Sequence, residues 1–176
     1  MVIGLSGYAQ SGKDEVAKIL VEVYGYKRIA FADAIRRAIY TLNPLVTGGN
    51  IHLADYVDEL GWDAAKRHPE IRRLLQVMGT EVGRQLFDDS VWIEKALGNV
   101  EPGDKIVVTD VRFPNEAKEI KWQFGEVWRI NRPDHDSVNS HISETAMDQW
   151  QFDRVINNDG DLTHLEYLVH EVMQGE

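Results

Sequence analysis

The sequence predicts an α/β protein with three layers, in which a core parallel sheet of about five strands lies between helices. Short apolar runs alternate with segments whose apolar residues recur at helical spacing. Strands that alternate with helices are joined by right-handed crossovers into a parallel sheet covered on both faces. The run KIVVTD at 105–110 is largely β-branched, as expected of a central buried strand. At 176 residues, the chain is long enough for one domain with a buried core.

The N-terminal part reads as strand, loop and helix, followed by a second strand and a second helix. Val2–Ser6 is a short apolar run that enters a glycine-containing turn. A helix that ends near Gly25 is then predicted by apolar residues at i, i+3, i+4 and i+7, which are Val16, Ile19, Leu20 and Val23. A second strand is expected at 26–31 and a second helix at 32–42, where an Asn-Pro pair stops it.

The middle of the chain has the apolar spacing typical of helices. After a loop at 47–50, the segment 53–100 shows no strand pattern. Its clearest apolar stripe consists of Ile71, Leu74, Leu75, Met78 and Val82. We therefore expect a helical block in which no strand interrupts the chain.

The C-terminal part returns to alternation. Besides 105–110, strands are predicted at 126–131 and 153–157, with a helix at 115–124 between the first two. The polar segment 132–143 is predicted to be a loop. A last helix is indicated by its core face, Leu165, Leu168, Val169 and Val172.

Composition limits the classes of function. Nineteen Lys and Arg against 29 Asp and Glu give a net charge of −10, which repels long polyanions, so no nucleic-acid partner is expected. A nucleotide still binds where a few Arg side chains and a helix N-terminus gather positive charge. The absence of cysteine excludes disulfides and thiolate metal sites. Because the sequence has neither a signal-peptide pattern nor a membrane-spanning apolar stretch, we expect a cytoplasmic protein with no membrane partner.

Residues 7–13 read GYAQSGK and match the phosphate-loop pattern GxxxxGK between a predicted strand and a predicted helix. In such a loop, backbone N–H groups and the helix N-terminus face phosphate oxygens, and Lys13 reaches the β and γ phosphates. The general motif ends in Ser or Thr, but here Asp14 takes that place, either as an Mg²⁺ ligand or as a cap of the helix, where a carboxylate suits the dipole. The predicted ATP-binding residues of this segment are Gly7, Ala9, Gln10, Ser11, Gly12, Lys13, Asp14 and Glu15.

Further stretches accompany the unusual GKD ending of this loop. They are Phe31-Ala32-Asp33, TDVRFPNE at 109–116, VINNDG at 155–160, Leu75-Gln76 and Gly79-Thr80-Glu81. With them the chain resembles the bacteriophage deoxynucleoside monophosphate kinases from its first strand to its last helix. The resemblance implies a single P-loop NTPase-fold kinase domain over 1–176, with a helical acceptor-binding insertion at about 32–100 and a lid at about 132–143. Glu15 departs from the pattern, since a hydroxyl residue is expected there, so the metal ligation stays open.

The activity implied by this resemblance is transfer of the γ-phosphoryl group of ATP, with Mg²⁺, to a deoxynucleoside 5′-monophosphate. For a protein of phage origin the location would be the host cytoplasm, and a homodimer is left open. One alternative is another small-molecule P-loop kinase similar to dephospho-coenzyme A kinase, which also carries a Phe-Ala-Asp-like segment. A non-catalytic ATP-binding switch protein is the other alternative.

Candidate catalytic residues besides Lys13 follow two strands. Asp110 would lie at the carboxyl edge of the sheet and order Mg²⁺ or the acceptor, unless it is a helix N-cap or an ion-pair partner of Arg112. Arg112 would grip the acceptor phosphate, while Asn115 and Glu116 either contact the nucleotide or cap the next helix. Arg129 and Arg132 flank the end of the strand at 126–131 and the start of the polar loop. Of these two, Arg132 is chosen as the group that neutralises charge on the transferring phosphoryl, unless it is an ordinary surface residue of the loop.

Two polar groups in the helical block are candidates for acceptor binding. Adjacent arginines project about 100 degrees apart on a helix, so only one of Arg36 and Arg37 is expected to face a phosphate, and Arg37 is preferred. The alternative for both groups is an ordinary solvated face. The two groups are Asp33, Arg36 and Arg37 at the start of the second helix, and Gln76, Thr80 and Arg84 at four-residue spacing.

The turn after the last strand is the final candidate. In the resembling family this turn lies against the donor adenine, which implies ATP contacts for Asn158 and Gly160. The ordinary alternative is that Asp161, or Thr163 with Glu166, caps the last helix. His135 and His141 show no metal-ligand spacing, so zinc is not expected.

Overall fold

The structure, a computed structural model, describes residues 1–133 and 145–175. The chain divides into two compact units, Met1–Ala30 with Asn99–Glu176 (the sheet unit) and Phe31–Gly98 (the helical unit). Within the described residues, no helix is both long and apolar enough to cross a membrane.

The described elements alternate as strands and helices at both ends of the chain. They are β1 (Val2–Ser6), α1 (Lys13–Glu22), β2 (Lys27–Ile29), α2 (Phe31–Leu42), β3 (Leu45–Val46), a 3₁₀ turn (Thr47–Gly49), β4 (Ile51–His52), α3 (Leu53–Ala65), α4 (Pro69–Val77), a π-helix (Met78–Phe87), α5 (Val91–Leu97), β5 (Ile106–Val108), α6 (Pro114–Trp122), β6 (Glu126–Asn131), β7 (Arg154–Asn157) and α7 (Leu162–Gln174).

The sheet unit contains a five-stranded sheet in the order β2-β5-β1-β6-β7, and all its pairings are parallel. The predicted three-layer α/β class and its parallel sheet of five strands are therefore confirmed. The central strand β1 is buried along its whole length, which explains why every residue before Ser6 is apolar. Its last residue, Ser6, pairs in register with Arg129 of β6.

Helices cover both faces of the sheet, as the alternation of side chains along β1 requires. On one face α1 and α7 pack through a buried cluster that includes Ile3, Leu5, Val16, Leu20, Leu165 and Val169. On the other face a Cβ atom on Gly4 would lie 2.5 Å from Ile120 Cδ1 of α6 and 2.8 Å from Val111 Cγ2. Glycine at position 4 therefore permits close packing of α6 on β1.

The predicted apolar stripe of α1 is wrong at its last residue. Val16, Ile19 and Leu20 are buried, but Val23 is 52% exposed. The helix ends at Glu22, and the chain then turns through Gly25 at a φ of 70°. A residue beyond the last helical turn no longer follows the helical period, so Val23 leaves the core face.

The helical unit is built around a second apolar cluster of Ile39, Val46, Leu53, Val57, Ala65 and Ile71. The predicted absence of strands in 53–100 is confirmed. An unpredicted hairpin, β3 with β4, brackets the predicted loop at 47–50. Each of its strands has two residues, too few to show a period-two pattern in the sequence.

The predicted apolar stripe from Ile71 to Val82 crosses a change of helix type. The chain is α-helical to Val77 and π-helical from Met78, where each turn holds more residues. Trp92 of α5 packs against this segment: its indole N–H donates to the Gly79 carbonyl at 2.8 Å, and a Cβ on Gly83 would lie 2.4 Å from its ring. The two glycines thus provide the surface on which the indole lies.

Gly4→Ala is expected to destabilise the protein by about 1–3 kcal/mol, because the added methyl overpacks the β1–α6 contact. Ile120→Val deletes the Cδ1 atom nearest to that methyl and costs about 0.5–1.5 kcal/mol alone. In the double variant, the loss in free energy of unfolding should be smaller than the sum of the two single losses. Urea unfolding of the three variants measures this, and simple additivity would contradict the contact.

Candidate active site

The phosphate loop of residues 7–13 joins β1 to α1, and its backbone requires glycine at two places. Gly7 has a φ of 148°, and a Cβ there would lie 2.3 Å from the Ile130 carbonyl oxygen of β6. Gly12 is the N-cap residue of α1 with a φ of 104°. The loop is therefore pressed against the end of β6, and its last turn leads the N-terminus of α1 toward the loop.

Lys13 lies within the curve of the loop. Its Nζ donates to the carbonyl oxygens of Gly7 at 2.7 Å and Tyr8 at 2.6 Å. These bonds hold the ammonium group where the loop's N–H groups and the α1 N-terminus attract anions. A bound phosphate would compete with the two carbonyls for this cation, which makes Lys13 a group ready for exchange.

Asn158 braces the loop from the end of β7. Its side-chain Nδ2 donates to the Ser11 carbonyl at 3.0 Å, and its backbone N–H donates to the Asn131 carbonyl at 2.7 Å. A Cβ on Gly12 would lie 2.5 Å from the same Nδ2. Whether Asn158 also contacts ATP stays a prediction, but its amide holds the loop in shape.

The turn after Asn158 begins α7. Asp161 is the N-cap residue of that helix, since its side chain accepts a bond from the His164 N–H at 2.9 Å. This confirms the capping alternative for Asp161. Gly160 lies beside the same histidine, because a Cβ there would come within 2.7 Å of the ring. An ATP contact by Gly160 stays a prediction.

Asp14 and Glu15 lie exposed in the first turn of α1. Because the N-cap residue is Gly12, Asp14 does not occupy that position, and it remains a candidate for Mg²⁺ or for interaction with the helix dipole. Within 1–133 and 145–175, no group of three or more acidic or histidine side chains could hold a metal ion.

The segment after β5 forms a cap for α6. Glu116, which is 3% exposed, accepts bonds from the N–H groups of Arg112 at 2.7 Å and Phe113 at 3.0 Å. The Asn115 side-chain oxygen accepts a bond from the Glu116 N–H at 3.0 Å. Among the two predicted alternatives, this geometry supports capping for Glu116.

Asp110 and Arg112 both follow β5 but differ in exposure. Asp110 is half-buried two residues after the end of the strand, whereas Arg112 is exposed. The N-cap residue of α6 is Phe113, so the alternative that Asp110 is an N-cap is wrong. Their catalytic roles stay predictions. Arg132 is exposed after β6, and residues 134–143 of the predicted lid, with His135 and His141, lie outside the described residues.

The two predicted arginines of α2 lie in different surroundings within the helical unit. Arg36 approaches Asp33 at 3.4 Å and lies 6.0 Å from the centre of the Trp62 ring, whereas Arg37 is exposed. Arg37 is therefore accessible to a ligand, a condition that it must meet if it, rather than Arg36, is to face a phosphate. The acceptor-binding role of these residues, including Asp33, stays a prediction.

The polar stripe of Gln76, Thr80 and Arg84 was derived from α-helical spacing, but only Gln76 precedes the π-helix. Gln76 and Thr80 are exposed, whereas the Arg84 side chain is 14% exposed and donates to Asp89 at its carbonyl and its carboxylate, at 3.1 and 3.2 Å. A wider turn changes which side chains share a face, so the four-residue spacing does not describe 78–87. Base recognition by this segment stays a prediction.

Arg129, named beside Arg132 at the end of β6 but not preferred there, contacts the phosphate loop, which the sequence did not predict. Its guanidinium lies over the Tyr8 ring at 4.6 Å and pairs with Asp148 at 3.3 Å. The available signal was an arginine at a buried position of the apolar strand β6. Arg129 and Asp148 therefore join the set of residues that shape this loop.

The chain is similar in sequence to known proteins. The sequence profile of the deoxynucleotide monophosphate kinase family matches residues 50–169. A deoxynucleotide monophosphate kinase of Escherichia phage RB69 is 32% identical over 109 residues, which are 59% of this chain and 45% of the relative. A protein described as a putative deoxynucleotide monophosphate kinase of Acanthamoeba polyphaga mimivirus is 27% identical over 164 residues, 84% of this chain and 82% of the relative. The chain thus spans less than half of the phage relative's length.

Among solved structures, a shikimate kinase from Aquifex aeolicus aligns with 99% of this chain and 97% of its own. The TM-score is 0.47 and the identity 12%.

Gly12→Ala is expected to destabilise the protein by about 1–3 kcal/mol more than Gly48→Ala. Both glycines have positive φ, so both substitutions strain the backbone by about 1–2 kcal/mol. Only at Gly12 does the new methyl also meet Asn158, since nothing lies within 4 Å of a Cβ on Gly48. Chemical unfolding of both variants checks this, and equal losses would exclude Asn158 as a tight brace.

Proposed function

The chain belongs to the deoxynucleotide monophosphate kinase family, and on that premise we propose that it transfers the γ-phosphoryl group of ATP to a deoxynucleoside 5′-monophosphate. The observation that carries the proposal is the loop of residues 7–13, with Lys13 held inside its curve by two carbonyl oxygens. The family match favours this activity over another small-molecule kinase and over an ATP-dependent switch. A cytoplasmic location and a homodimer remain predictions from the sequence.

In the proposed reaction the loop binds the donor. The N–H groups of Ala9, Gln10, Ser11 and the start of α1 would surround the β and γ phosphates. Lys13 would exchange its carbonyl partners for phosphate oxygens, a stronger charge-assisted bond. The buried Ser11 hydroxyl, which has no hydrogen-bond partner among the described residues, is a further donor close to the loop backbone.

The chemical step is an in-line exchange at the γ phosphorus. An oxygen of the acceptor monophosphate forms the new P–O bond while the bond to the β-phosphate oxygen breaks, so the products are ADP and a deoxynucleoside diphosphate. The attacking oxygen is already ionised near neutral pH, so no strong base is required. The protein therefore contributes alignment and charge stabilisation, for which we propose Lys13, Arg112 and Arg132 with Asp110.

Acceptor binding is proposed for the exposed polar groups already described. Exposure supports Arg37 for a phosphate and Gln76 with Thr80 for a base edge. Arg36 and Arg84 have partners in their own unit, so their contribution would require exchange of those partners. Asp33, Arg112, Asn115 and Glu116 complete the proposed set, with Glu116 acting through its cap.

Magnesium fits the donor chemistry of this site. The carboxylates of Asp14 and Asp110 are oxygen ligands of the kind that Mg²⁺ prefers, and Asp14 is exposed beside Lys13. We propose these two residues as ligands, direct or through water. Mg²⁺ bound with ATP would offset the negative charge of its β and γ phosphates.

The activity is tested with an acceptor panel. Purified protein with ATP and Mg²⁺ is expected to release ADP with one or more deoxynucleoside monophosphates and not without an acceptor. Coupled ADP detection across all common ribo- and deoxyribonucleoside monophosphates measures this. Absence of turnover with every acceptor would contradict the kinase proposal.

Lys13→Ala is expected to lower kcat by about 10³-fold or more, because the γ-phosphoryl charge loses its nearest proposed cation. Lys18→Ala is the matched control, since Lys18 is exposed on the same helix. It should retain activity, and both variants should keep the thermal unfolding midpoint of the parent. Activity retained in Lys13→Ala would remove the loop from the mechanism.

A further inference from the structure

A three-residue network joins the phosphate loop to a segment far away in the sequence. The Tyr8 hydroxyl donates to the Asp148 carboxylate at 3.0 Å. Arg129 donates to the same carboxylate oxygen at 3.3 Å, and its guanidinium lies 4.6 Å from the centre of the Tyr8 ring. Each member thus contacts the other two.

Arg129 is enclosed on the remaining sides. Its Nε donates to the Asn131 side-chain oxygen at 3.2 Å, and the Phe152 ring lies 5.5 Å from its guanidinium. The side chain is 10% exposed. Since it stands in β6 opposite Ser6, the guanidinium belongs to the strand that neighbours the start of the loop.

A buried arginine is not needed for the stability of such a strand. Moving a guanidinium out of water is costly, and apolar side chains of similar volume often serve a core equally well or better. The arginine here is therefore better explained by the arrangement that it imposes on the residues that it contacts. Among these residues, Tyr8 belongs to the phosphate loop, as its second residue.

Tyr8 links this network to Lys13. Its side chain is fixed by Arg129 and Asp148, while its carbonyl oxygen accepts the Lys13 ammonium at 2.6 Å. Because the side chain and this carbonyl belong to the same residue, holding the ring leaves the Tyr8 backbone fewer conformations and favours the one in which the carbonyl accepts from the lysine. The network thus reaches the proposed catalytic cation through one residue.

We propose that Arg129 and Asp148 are positioning residues for ATP binding, which act by holding Tyr8 so that the empty loop keeps the shape that accepts phosphates. This inference rests on the proposed use of ATP by that loop. A binding site ordered beforehand loses less conformational entropy when the ligand arrives. Once ATP is bound, the phosphates themselves hold the loop, so the network affects affinity more than the chemical step.

The protonation state of Tyr8 is suited to this role. Burial, followed by the hydrogen bond to Asp148, raises the pKa of the Tyr8 phenol above its usual 10.0. A raised pKa in an acid favours its neutral form, so the hydroxyl remains a donor at every pH below the usual tyrosine range.

Tyr8→Phe removes the hydroxyl and keeps the ring on Arg129. We expect the Kd and KM for ATP to rise about 3- to 10-fold, the range of one ordinary hydrogen bond, while kcat changes less than twofold. Tyr24→Phe is the matched control: Tyr24 also lies in the sheet unit, and its hydroxyl bonds to His170 Nδ1 at 2.5 Å. The control should leave Kd, KM and kcat for ATP unchanged.

A second pair of variants tests the arginine. Arg129→Met should raise the Kd for ATP at least as much as Tyr8→Phe, and Arg129→Lys, which keeps the charge over the ring, should fall between Arg129→Met and the parent. Arg154→Met is its control, since Arg154 approaches Glu126 at 3.9 Å in the same sheet. Calorimetric titration with ATP and thermal unfolding are measured for every variant.

The outcomes separate the inference from its premise. Higher Kd in Tyr8→Phe, with an unchanged unfolding midpoint and an unaffected control, supports the positioning role. A lowered midpoint with unchanged Kd, or the same rise of Kd in Tyr24→Phe, would overturn it. Failure of the parent protein to bind ATP would overturn the proposed function first and the inference with it.

Discussion

The close contact between the phosphate loop and the ends of two neighbouring strands is the constraint on which the site depends. Gly7 lies against the Ile130 carbonyl of β6, and Gly12 lies against Asn158 after β7. A side chain at either glycine would enter occupied space within 2.5 Å. The order β1-β6-β7 brings these partners together. The sheet therefore determines the curvature of the loop, and the curvature determines where Lys13 lies.

Charge is distributed locally in a protein whose net charge is −10. In the sheet unit, Lys13 is bonded to two carbonyl oxygens, and Arg129 is paired with Asp148 beneath the loop. The Lys13 bonds are made to neutral groups, so phosphate oxygens would replace them favourably. Arg129 is buried, so loss of its ion pair with the more exposed Asp148 would leave a buried charge without its partner, which is costly. One cation is thus suited to exchange with a ligand and the other to holding the loop.

The parts predictable from the sequence were those set by local patterns. Buried strands such as Val2–Ser6 show as apolar runs, and the GxxxxGK spacing between a strand and a helix locates the loop. The π-helix at Met78–Phe87 was missed because its sequence carries an α-like apolar spacing, and tertiary contact with Trp92 accompanies the wider turn. The contact of Arg129 with Tyr8 was not predicted, because the two residues are far apart in the sequence. Contacts of that separation have no local signature.

The central claim is that the loop presents ATP for direct transfer of its terminal phosphoryl group to a deoxynucleoside monophosphate. The most direct measurement follows an isotopic label in the γ phosphate of ATP and identifies the labelled products by chromatography. The account predicts that the label enters the β position of the deoxynucleoside diphosphate in equal amount to the ADP formed. Label released as inorganic phosphate, with the acceptor unchanged, would contradict it.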